Sequence, residues 1–76
     1  MTMPDHHRID SAEAFGALMK TRRKAQGISQ AMLASITGIP QPNLSKIENG
    51  RSVATLETCL RLCATLGIDL VGISRR

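Results

Sequence analysis

The hydrophobic residues between positions 10 and 67 recur at intervals of three and four, the spacing of a helix with one buried face. They form four short runs, and a glycine follows each run. Glycine readily adopts the left-handed conformation in which many helices end, so it is the expected residue at these places. The four glycines are Gly27, Gly38, Gly50 and Gly67. The pattern predicts four short helices joined by short loops.

Helix starts are marked by side chains that can accept hydrogen bonds from the first turn. Asp10 followed by Glu13 has the spacing of a capping box, and Ser29 and Thr55 precede the second and fourth runs. The third helix is expected from about residue 41 to residue 49. The charge of Arg22 is expected to reach water while its stem packs inward. The inward-facing positions are expected to be Phe15, Leu18, Met19, Arg22 and Ala25, then Met32, Leu33 and Ile36, then Leu44 and Ile47, and finally Leu56, Cys59, Leu60, Cys63 and Leu66.

The two ends of the chain lack this helical pattern. Residues 1–9 are polar and are interpreted as a flexible arm before a domain at residues 10–67. Residues 68–76 contain the β-prone positions Ile68, Leu70, Val71 and Ile73. A strand needs backbone partners and the chain offers no second strand, so this segment is either a disordered tail or pairs with another copy. Pairing implies a symmetric dimer in which residues 68–76 are the dimerisation strand.

The composition favours an all-α fold, a compact four-helix domain, and the expected C-terminal β-strand that pairs across a dimer adds only a short segment to it. Hydrophobic residues make up 42% of the 76 residues and Phe15 is the only aromatic one, so the core is aliphatic, which favours packed helices. A surface that stacks single-stranded bases is disfavoured for the same reason. The net charge of +4 suits a polyanionic partner. No apolar run approaches the ~18 residues that span a membrane and no signal-peptide core is present, which favours a cytoplasmic protein without a membrane partner.

Neither a metal site nor an enzyme is expected. Cys59 and Cys63 lie four residues apart, where two thiols can share one helical face, but a structural zinc site needs four ligands. The remaining candidates, His6 and His7, lie on an arm without fixed geometry. The cysteines are therefore expected to be small, buried, reduced side chains. No catalytic set of residues and no glycine-rich phosphate loop is present, so no catalytic residue and no cofactor is predicted.

A tight turn joins the second and third helices. It is formed by residues 37–40, TGIP, and the small residues Ala34 and Gly38 lie where the two helices must approach. This is a helix-turn-helix arrangement. Residues 28–50, ISQAMLASITGIPQPNLSKIENG, resemble the lambda-repressor/Cro-like (XRE-type) helix-turn-helix family in the SQ opening, the LA pair, the glycine of the turn and the closing LSKIENG. The resemblance covers roughly residues 11–67.

The resemblance implies that the third helix enters the major groove of double-stranded DNA with its N-terminus first. Gln41 then matches a glutamine that reads adenine, Lys46 can donate to guanine, and Pro42 offers only an apolar contact. The implied base contacts are Gln41, Pro42, Asn43, Ser45 and Lys46, and the implied phosphate contacts are Gln30, Asn49 and Arg51. Glu48 is implied to form a structural ion pair with Arg23.

Two prolines flank Gln41. Proline costs little in the first turn of a helix, where Pro42 falls. Pro40 occupies the place of the family's usual Ser or Thr cap, so a side-chain oxygen is lost there. Because a proline disfavours helical geometry in the residue before it, Gln41 is itself a candidate N-cap, which would start the helix slightly late.

The last part of the chain narrows the resemblance. Residues 55–73, TLETCLRLCATLGIDLVGI, are similar to the last helix and terminal strand of HipB-type antitoxins. That similarity implies a homodimer joined by the strand, which represses its own operon at a palindromic operator and binds a kinase-like toxin. Two alternatives stay open. One is a phage-type repressor or restriction-modification controller without a toxin, and the other is a protein-interaction module that does not read DNA.

Overall fold

Four helices follow one another in the computed structural model, which describes residues 6–52 and 54–75. They are α1 (Ala12–Ala25), α2 (Gln30–Thr37), α3 (Gln41–Glu48) and α4 (Leu56–Thr65). Helix α1 contacts α3, α3 contacts α2, and α2 contacts α4. The prediction of an all-α, four-helix fold is confirmed.

Both ends of the described chain are without regular secondary structure. Of the predicted arm, residues 1–5 lie outside the described residues, and residues 6–9 are exposed. Residues 68–75 follow α4 without helix or strand, and position 76 lies outside the described residues. A strand that pairs across a dimer needs a second copy to supply its hydrogen bonds, so the dimerisation strand stays a prediction.

Hydroxyl groups cap three of the helices. Ser29 Oγ and Thr55 Oγ1 each accept a hydrogen bond from the backbone N–H three residues later, at 3.0 and 3.2 Å, which confirms those two caps. Helix α1 is capped in the same way by Ser11, at 3.0 Å, so the prediction of Asp10 is wrong by one residue. Both side chains are good caps, and the sequence does not decide at which of two adjacent positions the helix begins.

All four glycines predicted to end helices have positive φ angles, between 69° and 75°, which confirms that prediction. Gly50 is the most constrained of them. Besides its φ of 69°, a Cβ atom at this position would lie only 2.8 Å from the Cα of Glu13. Glycine therefore allows the loop after α3 to pass directly against the first turn of α1.

The core lies between the helices and is almost entirely aliphatic. Its members are Phe15, Met19, Leu33, Ile39, Leu44, Ile47, Leu62, Cys63 and Leu66. Leu44 and Ile47 confirm the inward side predicted for α3. Ile39 and Leu62 are core residues that the helical spacing does not identify, since Ile39 lies in the turn and Leu62 lies outside the stripe assigned to α4.

Five residues predicted to face inward are exposed instead. Met32 is 55% exposed, Ile36 58%, Leu56 66% and Leu60 47%, and Ala25 is also exposed. Periodicity shows that a helix has an apolar side but not how much of that side its neighbours cover. Among residues 6–52 and 54–75, the other helices leave part of the apolar side of α2 and of α4 uncovered.

Helices α1 and α3 approach each other closely at Gly16. A Cβ atom there would overlap the carbonyl oxygen of Ile47 and lie 2.9 Å from that of Glu48. Glycine costs about 1 kcal/mol relative to alanine inside a helix, so this backbone contact explains its presence. The C-terminal half of α3 is thereby fixed against α1.

The end of α4 is attached to the last turn of α1. The carbonyl oxygen of Leu66 accepts hydrogen bonds from Nε and Nη2 of Arg22, at 3.2 and 3.0 Å, and from Nε2 of Gln26 at 2.8 Å. The carbonyl groups at a helix C-terminus carry partial negative charge, which a guanidinium stabilises. The prediction that the charge of Arg22 reaches water is therefore wrong, because the end of α4 offers it an acceptor.

Candidate nucleic-acid interface

Helix α3 begins at Gln41, with Pro40 as its N-cap and Pro42 in its first turn. Pro40 has φ −56° and ψ 137°, forms no side-chain cap, and accepts a hydrogen bond from the N–H of Leu44 at 3.0 Å through its carbonyl oxygen. Gln41 is therefore not the N-cap, and that alternative is wrong. The steric effect of Pro42 on the preceding residue is a bias rather than a prohibition, and the burial of Leu44 fixes the first turn.

The two sides of α3 differ in polarity. Leu44, Ile47 and Glu48 are buried against the other helices. Of the residues predicted to contact bases, Ser45 is half-buried and the others are exposed, namely Gln41, Pro42, Asn43 and Lys46. Amide and ammonium groups in this position are accessible to hydrogen-bonding groups outside the protein, such as the edges of bases.

Helices α2 and α3 and the loops that flank them carry almost no negative charge, although exposed Glu13 of α1 lies beside Gly50. Between Glu13 and Glu57 the sequence contains a single carboxylate, that of Glu48, and it is buried. The basic residues of the same stretch are Lys20, Arg22, Arg23, Lys24, Lys46 and Arg51. A polyanion can therefore approach α3 without meeting an exposed carboxylate on α2, on α3 or on the loops that flank them.

Glu48 is neutralised inside the protein by Arg23 of α1. Arg23 Nε donates to Oε2 at 2.7 Å and Nη2 donates to Oε1 at 3.0 Å, and the two side chains are 9% and 1% exposed. Burial by itself raises the pKa of the Glu48 carboxyl, but the hydrogen bonds from Arg23 and Gln30 outweigh it, and the pKa lies below its ordinary value. The hydrogen bond to Glu48 raises the pKa of Arg23. Both groups are charged at neutral pH.

The three residues predicted to contact phosphates lie at two helix ends. Gln30 is the first residue of α2, and its Nε2 donates to Oε1 of Glu48 at 3.0 Å. Asn49 is the C-cap of α3 and Arg51 lies two residues further, and both are exposed. The N–H groups in the first turn of a helix have no acceptor within the helix, so the start of α2 can donate to an anion.

The residues predicted to form the dimerisation strand are mostly exposed. Ile68 is half-buried, whereas Leu70, Val71 and Ile73 are 43%, 73% and 84% exposed. Leu70 also borders a shallow apolar groove with Leu56 of α4. The apolar surface therefore continues from α4 into the segment that follows it.

The two cysteines are free thiols. Cys63 is buried, as predicted, and Cys59 is half-buried, and burial raises the pKa of both. Within residues 6–52 and 54–75, no three His, Cys, Asp or Glu side chains lie together in a way that could hold a metal ion. In the same part of the chain, none of the helices has the length and apolar character required to cross a membrane.

Comparison with known proteins identifies the family. A family profile described as helix-turn-helix matches residues 19–73, which is most of the chain. The chain belongs to the helix-turn-helix family. It is 45% identical over 50 residues to an HTH-type transcriptional regulator of Haemophilus influenzae, an alignment that covers 66% of this chain and 51% of the relative. It is 36% identical over 55 residues to the ImmF control region 10 kDa protein of Bacillus phage phi105, with coverages of 72% and 61%. The chain thus spans between half and two-thirds of the length of these helix-turn-helix relatives.

Solved structures share the fold of this helix-turn-helix chain. A complex of a HipB variant with an O2 20mer matches with a TM-score of 0.80 and 28% identity, over 95% of this chain and 100% of that chain. A chain of the HipA-HipB-O2-O3 complex matches at 0.78 and 27%, over 93% and 100%. The restriction-modification controller protein C.AhdI from Aeromonas hydrophila matches at 0.72 and 29%, over 76% and 88%.

Two features of this helix-turn-helix domain are not predicted from its sequence. The hydrogen bond from Gln30 to Glu48 joins residues 18 positions apart, and no local pattern indicates it. The backbone contact at Gly16 does have a signal, because a glycine inside an otherwise helical run commonly marks a close approach. That signal locates the contact on α1 but does not identify its partner on α3.

Proposed function

We propose that this protein binds double-stranded DNA in a sequence-specific manner through α3 and represses transcription. The observation that carries the proposal is the exposed polar side of α3, which starts at Gln41 in a region whose single carboxylate, that of Glu48, is buried and paired. A surface of this kind fits the major groove, where polar side chains meet base edges between two rows of phosphates. The similarity to an HTH-type transcriptional regulator supports the same role.

The residues of α3 that are predicted to contact bases have the following roles in this proposal. Gln41 pairs with the N6/N7 edge of adenine, Lys46 donates to O6 and N7 of guanine, and Pro42 contacts the methyl group of thymine. Asn43 and Ser45 contact bases or the adjacent phosphates. The residues that hold phosphates are Gln30, Asn49 and Arg51. Phosphate contacts fix the orientation of the protein on the duplex, and base contacts give the specificity.

The protein acts as a homodimer in which the segments at residues 68–73 pair across a two-fold axis. The exposed apolar side chains Leu70, Val71 and Ile73 support this arrangement, since a small soluble protein gains by covering such a surface. Pairing would also supply the missing backbone hydrogen bonds. The two α3 helices then lie in successive major grooves, about one helical turn or ~34 Å apart, on a palindromic operator.

A HipB-type antitoxin is the regulator that we favour. The match to HipB covers 95% of this chain, against 76% for the match to C.AhdI. One matched structure contains HipA together with HipB, and by analogy this protein would repress its own operon and bind a kinase-like toxin. A phage-type repressor or a restriction-modification controller without a toxin is the second candidate, favoured by the similarity to the phi105 protein and to C.AhdI.

Fluorescence anisotropy with duplex DNA from upstream of the protein's own coding sequence tests the DNA-binding proposal. We expect the Gln41→Ala/Lys46→Ala variant to lose about 2–6 kcal/mol of binding free energy on that duplex, because two base contacts are removed. Lys24→Ala, which removes one positive charge from α1, is the control and should weaken binding to all duplexes alike. Weak, salt-insensitive binding that does not distinguish the upstream duplex from random DNA would contradict the proposal and favour the protein-interaction module.

Co-expression with the product of the adjacent gene tests the antitoxin proposal. We expect a kinase-like protein to co-purify at a fixed stoichiometry, with or without operator DNA. Recovery of this protein alone, together with specific DNA binding in the anisotropy experiment, would instead support the regulator without a toxin.

A further inference from the structure

Glu48 lies between the start of α2 and the end of α3, the two helix ends that are proposed to hold phosphates. Its side chain is 1% exposed, and its Oε1 accepts hydrogen bonds from both Gln30 and Arg23, each at 3.0 Å. It is also the last residue of α3, directly before Asn49. The side chain of Glu48 is therefore hydrogen-bonded to the start of α2, and its backbone forms the end of α3.

Arg23 also contacts the loop before α2. While Nε and Nη2 of Arg23 hold the carboxylate, Nη1 donates to the carbonyl oxygen of Ile28 at 2.9 Å, two residues before Gln30. The pair thus fixes the backbone that leads into α2 as well as the Gln30 side chain. A bidentate guanidinium–carboxylate pair has a defined geometry, so it restricts both partners strongly.

We propose that Glu48 is a positioning residue for phosphate binding, which acts by holding the side-chain amide of Gln30 in the orientation that a DNA phosphate requires. One amide hydrogen of Gln30 is directed at Glu48, which leaves the second amide hydrogen and the backbone N–H at the first position of α2 for the phosphate. The inference rests on the proposed DNA-binding function.

A double-mutant cycle tests the proposal without leaving a buried charge unpaired. The variant Arg23→Met/Glu48→Leu replaces the ion pair by apolar groups of similar size, a change that is often neutral for folding. We expect it to weaken operator binding about threefold to tenfold per protomer, since an unrestrained side chain must be ordered on binding. In a Gln30→Ala background the same replacement should have a clearly smaller effect, limited to what the backbone at the start of α2 contributes. Equal losses in both backgrounds would overturn the proposal.

Operator duplexes with a neutral methylphosphonate at one backbone position at a time provide a readout that a general structural role does not change. The wild type should lose affinity at the phosphate that Gln30 contacts, and Gln30→Ala, which keeps only the backbone N–H as a donor, should lose less affinity at that position. We expect Arg23→Met/Glu48→Leu to show a reduced loss at that same phosphate and an unchanged loss elsewhere. A uniform change at all phosphates would mean that Glu48 only stabilises the fold.

An NMR measurement without DNA separates failure of this inference from failure of the proposed function. The heteronuclear NOE of the Gln30 side-chain amide should be that of a rigid group in the wild type, in contrast to the exposed Gln41, and should fall in Arg23→Met/Glu48→Leu. A Gln30 amide as mobile as that of Gln41 in the wild type would overturn the positioning role even if operator binding is specific. A rigid amide without any operator binding would leave the geometry intact and reject the DNA-binding proposal.

Discussion

Helices α3 and α4 use their apolar residues differently. The apolar residues Leu44 and Ile47 of α3 are buried, and its exposed side is polar. In α4, Leu62 is fully buried, but Leu56 and Leu60 are 66% and 47% exposed. A helix whose apolar residues are covered by its own chain can present a polar surface to a ligand. Contiguous exposed apolar residues on a helix are instead typical of a surface that another protein covers. This difference is the basis for the proposal that α3 binds DNA and that a second copy of the chain covers the side of α4 and the segment after it.

The largest effect is expected from a charge in the apolar segment after α4. Val71→Asp/Ile73→Asp places two carboxylates in each protomer of the proposed interface, and an unpaired buried ion costs several kcal/mol. We expect the dimer to become a monomer, measured by light scattering over a concentration series. Met32→Asp/Ile36→Asp alters an apolar pair on α2 that is also exposed, at 55% and 58%, and should leave the dimer intact. A tail variant that remains dimeric would contradict strand pairing.

Among the contacts of α3, the buried ion pair of Arg23 and Glu48 should make the largest difference to the free energy of unfolding. Glu48→Ala leaves Arg23 buried without its partner, which is expected to lower the free energy of unfolding by about 3–5 kcal/mol in urea denaturation. On α4 the matched change is Glu57→Ala, which removes a surface ion pair of 3.5 Å with Arg61. Exposed pairs of this kind contribute about 0–0.5 kcal/mol. Similar losses for the two variants would contradict the difference in burial.

The contact between α1 and α3 gives the next largest effect. Gly16→Ala introduces a Cβ that overlaps the carbonyl oxygen of Ile47, and we expect a loss of about 1–3 kcal/mol in the free energy of unfolding. Lys24→Ala, at an exposed position of the same helix α1, is the control. It should change the stability by less than about 0.5 kcal/mol. A gain in stability for Gly16→Ala would show that the two helices are further apart.

Acid should weaken the ion pair less than the deletion of its carboxylate does, since a protonated acid keeps its shape and part of its hydrogen bonding. The folded-state pKa of Glu48 lies below that of an unfolded glutamate, about 4.3. The contribution of the Glu48 carboxylate to stability is therefore complete above about pH 4.3 and is lost as the pH falls through the folded-state pKa. The difference in unfolding free energy between the wild type and Glu48→Gln should shrink on acidification. A difference that is constant with pH would contradict the charged pair.

The helix caps should show the smallest effects and no difference between the two regions. Ser29→Ala on α2 and Thr55→Ala on α4 each remove one hydroxyl cap, at about 1 kcal/mol. Ser35→Ala, an exposed position inside α2, is the control and should be neutral within about 0.5 kcal/mol. Thermal unfolding of the three variants measures this. A much larger cost at one cap would mean that the two helices differ locally and not only in their tertiary neighbours.

The sequence predicts what depends on near neighbours along the chain. The glycine ends, the Ser29 and Thr55 caps and the inward side of α3 all follow from patterns within about eight residues. The periodicity predicts Met32 and Leu56 in the core because their helices need an apolar side. Which part of that side is covered depends on helix packing, and for α4 we expect it to depend on a second copy.

At the proposed DNA-binding site, too, local features can be predicted from the sequence and contacts between distant residues cannot. The exposure of Gln41 and Lys46 follows from the burial of Leu44 and Ile47 on the opposite side of a short helix. The bond from Gln30 to Glu48 could not be predicted, because it requires α1, α2 and α3 to be packed before the two side chains meet. Long-range polar contacts carry no local signal, and the proposed positioning of the phosphate site depends on such contacts.

Selection of binding sites from a random pool of DNA duplexes is the strictest test of DNA reading by a dimer, because enrichment requires both a reading helix and a symmetric dimer. We predict enrichment of one two-fold symmetric sequence whose half-sites are centred about 10 base pairs apart, as two α3 helices in successive major grooves require. The Gln41→Ala/Lys46→Ala variant should select a degenerate sequence or none. Failure of the wild-type protein to enrich any sequence, or enrichment of a single asymmetric half-site, would contradict the account.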